Sequence, residues 1–204
     1  MTKRAGAVPE ETRRRIICAA RDAFSAQGFQ DASLRGICAA AGVTTGALYF
    51  FFRGKDDLFE TVLSEATRPF SQLTAAHYRQ ERLSARLDSE EGGSADLEVT
   101  GQAIDLYFRS RQTWNILIGH QNHPVVRAFL DRFIDDSTCH YRSLLEETMP
   151  ERPVDPFAIS QFVHMQADAM LTLFSHDFNR EEMMTHAETV VRMLRGAFRA
   201  LLED

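Results

Sequence analysis

Residues 12–58 read TRRRIICAARDAFSAQGFQDASLRGICAAAGVTTGALYFFFRGKDDL. Apolar residues recur at helical spacing in the first part of this stretch, and Gly28 is placed to end that helix. Ser33 and Thr44 are residue types that cap helix N-termini, and Gly42 lies between them, where glycine can turn the chain. The stretch therefore predicts three short helices and the start of a fourth.

The second and third of these helices are joined by a short turn within AAAGVTTGALYFFF, residues 39–52. Helix, glycine-containing turn and helix are typical of a helix-turn-helix, in which the second helix enters the DNA major groove. An aromatic core stripe is the alternative, but consecutive helical side chains point about 100° apart. A core position suits Phe52 well and suits Tyr49 and Phe50 poorly.

Charge is distributed unevenly along the chain. Residues 1–55 hold nine basic and four acidic residues, a net charge of +5, whereas the remainder holds 14 basic and 25 acidic residues, a net charge of −11. This asymmetry suggests a basic module for a polyanion joined to an acidic body, although a solvated charged face would give the same pattern by chance.

The remaining sequence is helical in pattern and gives no convincing alternating strand. We predict an all-α chain of about nine helices, with a flexible arm at residues 1–8, a helix-turn-helix domain at 9–54 and a larger domain at 55–204. Residues 88–96, DSEEGGSAD, read as a loop. No apolar run reaches the roughly 20 residues of a membrane span, and no secretory signal is present, so a cytoplasmic protein is expected. Three cysteines without a CxxC motif fit reduced thiols.

The N-terminal motifs resemble those of the TetR family of bacterial transcriptional regulators. The matching stretches are Thr12 to Phe29, Ser33 to Ile37, Ala41 to Tyr49, and Phe52 with Lys55 to Leu58. The resemblance implies a homodimer with an N-terminal three-helix DNA-binding domain and a larger C-terminal domain that binds a small ligand and dimerises. It also implies repression at a palindromic operator in double-stranded DNA, from which ligand binding releases the protein.

The resemblance assigns DNA contacts residue by residue. Tyr49 and Lys55 match phosphate contacts, while Arg35 on the preceding helix can touch a base. Phe51 departs from the family, which often has a histidine or tyrosine at this position. Phenylalanine cannot donate a hydrogen bond to phosphate, so one phosphate contact of the family is missing here. The full set of expected DNA-binding residues is Ser33, Arg35, Thr44, Thr45, Gly46, Ala47, Tyr49, Phe50 and Lys55.

The C-terminal half offers candidates for a pocket and for a dimer interface. An apolar, aromatic lining with a few polar tips would suit a hydrophobic or aromatic effector, although it would equally suit a protein core. The expected lining is Phe70, His77, Ile104, Tyr107, Phe108, Trp114, Leu117, Ile118, His120, Phe129, Phe133 and Met165. The last two amphipathic helices are expected to build a four-helix interface from Phe162, Ala169, Leu173, Val191, Leu194 and Phe198.

Two other functions compete with ligand-responsive repression. One is a ligand-independent DNA-binding protein in which the C-terminal half only dimerises, because a filled core and an empty pocket have the same composition. A metal-dependent enzyme would draw on His120 and His123, which have HxxH spacing, yet zinc needs three or four converging ligands. No HExxH, P-loop or GxSxG motif accompanies them, so we predict no catalytic site, metal or cofactor.

Overall fold

The computed structural model describes residues 7–84, 90–151 and 154–202, which contain nine α-helices and no strand. This confirms the all-α prediction. In chain order the helices are α1 (Ala7–Asp31), α2 (Leu34–Ala41), α3 (Thr45–Phe51), α4 (Lys55–Ser84), α5 (Glu90–Arg109), α6 (Arg111–Gly119), α7 (Pro124–Thr148), α8 (Pro156–Ser175) and α9 (Arg180–Leu202).

The short helices α2 and α3 begin at side-chain caps. The Ser33 hydroxyl oxygen accepts the Gly36 N–H at 3.0 Å, and the Thr44 hydroxyl oxygen accepts the Ala47 N–H at 3.2 Å. Each bond satisfies an N–H that the first helical turn leaves without a partner. Gly42 ends α2 with a left-handed φ of 63°, a conformation that glycine adopts without steric cost. The local sequence therefore sets both ends of the turn.

Gly28 bends α1 instead of ending it. Its φ of 75° and ψ of 171° interrupt the helix, and one further turn carries α1 to Asp31. This backbone region is essentially reserved for glycine, because a Cβ would clash with the neighbouring carbonyl groups. The bend brings Phe29 against α4, where its ring packs on Phe59 at 4.9 Å between centroids.

Replacing this glycine tests how firmly the bend is imposed. We expect Gly28→Ala to lower the free energy of unfolding by about 1–3 kcal/mol, because alanine is strained at this φ and ψ. The nearest atom to the added Cβ would be His120 Nε2 at 3.5 Å, so crowding adds little to that cost. Urea denaturation would measure the change, with Gly119→Ala, which meets no atom within 4 Å and has ordinary φ, as the control. Equal free energies of unfolding for Gly28→Ala and the parent would contradict the expectation that alanine is strained at this φ and ψ.

Two predicted boundaries need correction. The residue 1–8 arm lies mostly outside the described residues, but α1 already includes Ala7 and Val8. The loop expected at residues 88–96 is helical from Glu90 onward. Tertiary contact explains the second difference: Asp96 accepts a hydrogen bond from Arg195 of α9 at 2.8 Å, which anchors the first turns of α5 despite their two glycines.

The long helix α4 connects the two parts of the molecule. Near its start, Leu58 and Phe59 are fully buried against α1, and further along Phe70 is buried against α6. Pro69 lies inside α4 without ending it. A second apolar cluster, centred on Tyr141, Phe162 and Phe198, joins α7, α8 and α9. The two clusters leave a cavity between them.

No single helix within the described ranges is long and apolar enough to cross a membrane. Helices α2 and α3 pass that test of length and composition only as a pair, with a 100° bend between them.

Candidate functional site

The arrangement of α2 and α3 presents one helix outward. The two helices meet at 100°, within the range of helix-turn-helix motifs. Leu48 is fully buried on the inner side of α3, whereas Tyr49 is 59% and Phe50 is 78% exposed. The helix therefore anchors itself by its leucine and offers its aromatic rings to solvent, and Phe52 is buried as its C-cap.

The other expected DNA contacts lie around this exposed face. Arg35, Thr45 and Gly46 are exposed and Ala47 is half-buried. The small side chains at Gly46 and Ala47 permit close approach of a nucleic-acid groove to the backbone. Ser33 and Thr44 use their hydroxyl oxygens as helix caps, yet each hydroxyl retains its own O–H, which can donate to a phosphate oxygen.

Lys55 is held more tightly than the sequence predicts. Its ammonium donates to the Gln30 carbonyl oxygen at 2.9 Å and lies 4.6 Å from the centre of the Phe29 ring. These contacts fix the position of the charge at the N-terminus of α4, where the helix dipole also favours an anion. Since an ammonium has three donors, two remain for a phosphate.

A cavity of about 210 Å³ lies within the larger domain, bounded by α4, α5, α7, α8 and α9. Aromatic and aliphatic side chains form most of its wall, including Phe70, Tyr141, Phe162 and Phe198. This mixture of apolar wall and a few polar groups is typical of small-molecule sites.

The polar groups of the cavity gather at one end. His77 Nε2 lies 3.5 Å from an Asp96 carboxylate oxygen, and Glu81 accepts a hydrogen bond from His140 at 2.8 Å. Burial opposes protonation of His77, but the Asp96 hydrogen bond and the Glu81 and Asp96 charges outweigh it, so the pKa of His77 is raised. Arg195 completes this group through its bond to Asp96. We call these five residues the polar cluster.

Two tyrosines extend the polar cluster along the cavity wall. Burial raises the pKa of Tyr78 to about 12 and raises that of Tyr141 well above its usual value, so both phenols stay neutral. The Tyr78 hydroxyl pairs with Ser137 at 2.7 Å, and the Tyr141 hydroxyl accepts from the Gln166 amide at 2.9 Å. The cavity wall therefore carries neutral hydrogen-bonding groups beside the charged ones.

The expected pocket residues are divided by the structure. Four line the cavity, namely Phe70, His77, Ile104 and Phe133. Eight do not line it, namely Tyr107, Phe108, Trp114, Leu117, Ile118, His120, Phe129 and Met165. Most of the eight pack in the aromatic core around α6, where Trp114 lies 5.3 Å from both Phe70 and Phe174. Met165 instead points outward and is 50% exposed.

The structure places the expected interface residues on the wall of the cavity. All six, Phe162, Ala169, Leu173, Val191, Leu194 and Phe198, line the cavity of their own chain. The apolar stripes of α8 and α9 face inward because they close that cavity against α4, α5 and α7. The outward faces carry other apolar residues, among them Phe157 at 68%, Met165 at 50% and Met193 at 70% exposure.

Sequence reasoning missed the polar cluster apart from His77. Glu81 follows His77 by four residues, which places both on one face of α4, so the helical spacing offered a signal. Asp96 fell in the stretch that the sequence predicted to be a loop. No spacing pattern connects Glu81 with His140 or Asp96 with Arg195, because these pairs are 59 and 99 residues apart.

His120 and His123 lie at the junction of the two domains and not at a metal centre. His120 Nε2 accepts the Phe29 N–H at 3.0 Å, while His123 Nδ1 caps α7 by accepting the Val125 N–H at 3.3 Å. Within the described residues no group of three or more histidine, cysteine, aspartate or glutamate side chains has a metal-binding arrangement.

The comparisons with known proteins agree with this geometry. The family model for bacterial regulatory proteins of the TetR family matches residues 16–62. The HTH-type transcriptional regulator SrpR of Pseudomonas putida is 46% identical over 69 residues, which make up 34% of this chain and 32% of SrpR. Alignments with the first curated relatives cover about a third to a half of their length.

Solved structures extend the likeness beyond the matched segment. A TetR-like transcriptional regulator from Rhodococcus sp. RHA1 superposes with a TM-score of 0.62 at 20% identity, covering 100% of both chains. The multidrug binding protein EbrR, complexed with malachite green, gives 0.61 at 22% identity, covering 89% of this chain and 96% of EbrR. The chain therefore has the fold of these proteins, and its residues 16–62 match the model of the TetR family of bacterial regulatory proteins.

Proposed function

We propose that this chain is a DNA-binding transcriptional regulator, with its DNA-binding domain at residues 9–54 and its effector and dimerisation domain at 55–204. The exposed α3, with Leu48 buried beneath it and Tyr49 and Phe50 turned to solvent, is the observation that carries the proposal. Exposing two aromatic side chains to water at a helix surface is unfavourable, and a binding partner would cover them. The net charge of +5 over residues 1–55 makes that partner a polyanion.

Binding to operator DNA tests the proposal. Purified protein is titrated with the duplex upstream of its own gene and with a scrambled duplex, at several salt concentrations. We expect tight, sequence-selective binding that protects a palindrome. Equal, weak binding to both duplexes that disappears with modest salt would contradict it, because only the non-specific electrostatic attraction would then be present.

The cavity is the proposed effector site. Its aromatic wall and polar cluster favour a ring-bearing molecule with one polar or charged group. EbrR, a protein of the same fold, was solved with malachite green, a dye of this kind. We propose that such an effector releases the protein from its operator, as expected of a repressor. The cavity supports an effector-responsive regulator over the alternative in which the C-terminal half only dimerises.

A substitution that fills the cavity separates effector binding from DNA binding. Ala169 lines the cavity, so a phenylalanine there would occupy the space of the dye. We expect Ala169→Phe to weaken malachite green binding at least about tenfold, while operator affinity stays within about twofold. Dye fluorescence and operator titration give the two affinities. Ala75→Phe places the same side chain on the exposed side of α4 and is the matched control. Unchanged dye binding by Ala169→Phe would contradict the assignment of the cavity.

We further propose that the chain acts as a homodimer joined through the outward faces of α8 and α9. Phe157, Met165 and Met193 supply exposed apolar surface there. The occupant is a second copy of this chain, since a two-fold symmetric pair of α3 helices matches a palindromic operator.

A further inference from the structure

Helix α1 is bound to α6 by a hydrogen bond from Gln112 to Asp22 at 3.0 Å and by a contact at His120, which we call the joint. His120 lies at the end of α6. Its Nε2 atom lies 3.0 Å from the Phe29 backbone nitrogen, and its Nδ1 atom lies 2.7 Å from the Ile116 carbonyl oxygen. A backbone N–H can only donate and a carbonyl oxygen can only accept. The proton of the imidazole is therefore on Nδ1 and Nε2 carries none, so the joint requires the neutral ring.

His120 Nε2 accepts the Phe29 N–H, which the bend at Gly28 rotates away from the axis of α1. With Gly28 at φ 75° and ψ 171°, the peptide that follows is rotated out of its helical orientation. The Phe29 N–H then points to His120 in place of a carbonyl of its own helix. A buried N–H without an acceptor is costly, so this bond fixes how α1 meets α6.

Aromatic rings and a few charged groups surround this joint. The Phe29 and Phe59 rings lie 4.3 and 4.7 Å from the His123 ring, and Phe59 lies 5.7 Å from His120. Among the described residues, the titratable groups whose contacts reach the helices at the joint include Asp22, Lys55, Asp56 and His123. Asp56 lies 3.6 Å from His123 Nε2, and Lys55 is bound to the Gln30 carbonyl oxygen.

Helix α6 also links the joint to the cavity. Trp114, one and a half turns before His120, packs at 5.3 Å on Phe70 and at 5.3 Å on Phe174, and both phenylalanines line the cavity. Displacement of these rings would therefore move the helix that ends at His120.

We propose that His120 is a proton-sensitive positioning residue, whose neutral form alone holds the N-terminal domain in the orientation that DNA binding requires. The inference rests on the proposed function as a DNA-binding regulator. Protonation places an N–H on Nε2, opposite the N–H of Phe29, so the bond is lost and two donors face each other. Histidine is the side chain whose charge ordinarily changes between about pH 5 and 8.

The sign of the effect distinguishes this joint from general electrostatics. Protonation of other histidines adds positive charge and strengthens attraction to DNA. Weaker operator binding in acid therefore points to loss of a specific geometry. His123 contributes less, because burial lowers its pKa despite the opposing charge of Asp56.

The experiment compares the parent protein with His120→Gln and His123→Asn. Glutamine offers a side-chain oxygen to the Phe29 N–H without titrating, and asparagine retains the cap on α7. Operator affinity is measured from about pH 8 to about pH 5.5 at constant ionic strength. We expect the parent and His123→Asn to lose about tenfold in affinity relative to His120→Gln, which should show no loss in acid.

A second readout does not involve DNA. In the parent, the NMR resonance of the Phe29 amide should shift with the same midpoint as the His120 ring, whereas in His120→Gln it should stay constant. Identical pH profiles for parent and His120→Gln, or a Phe29 amide that ignores the His120 titration, would overturn the inference. If no variant bound the operator at any pH while the two resonances still moved together, the joint would stand and the proposed function would fail.

Discussion

Replacing Arg35 and Tyr49 together by alanine is expected to weaken operator binding at least about 100-fold. A guanidinium that reads a guanine edge contributes about 1–3 kcal/mol, and a hydrogen bond to a charged phosphate contributes about 1.5–3 kcal/mol. Both side chains are exposed in the free protein, Tyr49 at 59%, so neither supports the core. The free energy of unfolding should therefore change by less than about 0.5 kcal/mol.

Single variants assign the two contributions. Tyr49→Phe removes only the hydroxyl and should weaken binding about tenfold without altering base preference, since the lost partner is a phosphate. Arg35→Ala should instead reduce the difference in affinity between operator and mutated duplexes. Arg79→Ala, an exposed arginine on α4 away from α3, is the matched control for the loss of one positive charge. Wild-type affinity in the Arg35 and Tyr49 double variant would contradict this placement of the DNA surface.

The helix-turn-helix part of the chain was predictable because its signals are local. Ser33, Gly42 and Thr44 act on backbone groups within three or four residues of themselves, so the sequence alone indicates where α2 and α3 begin and where α2 ends. The run of aromatic residues was also informative, because consecutive side chains of a helix point in different directions and cannot all enter one core. Leu48 and Phe52 are inside and Phe50 is outside, in agreement with that argument.

The cavity was less predictable because an apolar stripe does not identify what covers it. Val191 and Phe198 have the spacing of an interface helix, yet they close the cavity of their own chain. Trp114 and Tyr107 have the composition of a pocket, yet they fill the core beside it. Such choices depend on contacts between helices far apart in sequence, as in the Arg195–Asp96 pair, and helical periodicity carries no information about them.

His120 shows the same difficulty at a single residue. Its spacing from His123 suggested a metal pair and its polar tip suggested a ligand contact. Its actual partner is the backbone of Phe29, 91 residues away, which becomes available only because Gly28 bends α1. Every residue except proline has a backbone N–H, so the residue type does not show which N–H binds a side chain. Neither a motif nor the composition could therefore have indicated the joint.

Placing charged side chains on the outward faces of α8 and α9 should separate the proposed dimer. We expect Met165→Glu with Met193→Glu to give a monomer, because a two-fold interface places each new carboxylate near its symmetry copy and buries it. The methionines are 50% and 70% exposed, so the protomer should keep its stability. Sedimentation analysis would give the oligomeric state.

Loss of the proposed dimer should lower the affinity for the operator, because the second half-site is then no longer bound at a high effective concentration. A dimer joins two operator half-sites in one binding event, so the monomer should bind the full palindrome about 100-fold or more weaker, while affinity for an isolated half-site stays unchanged. Leu194→Ala is the informative contrast, because Leu194 lines the cavity and should leave association intact. A dimeric double glutamate variant would contradict the proposed faces. A monomeric Leu194→Ala variant would indicate that the association runs through the faces the sequence first suggested. The inward stripe of α9 would then have to turn outward in the dimer, at the cost of opening the cavity that its residues close.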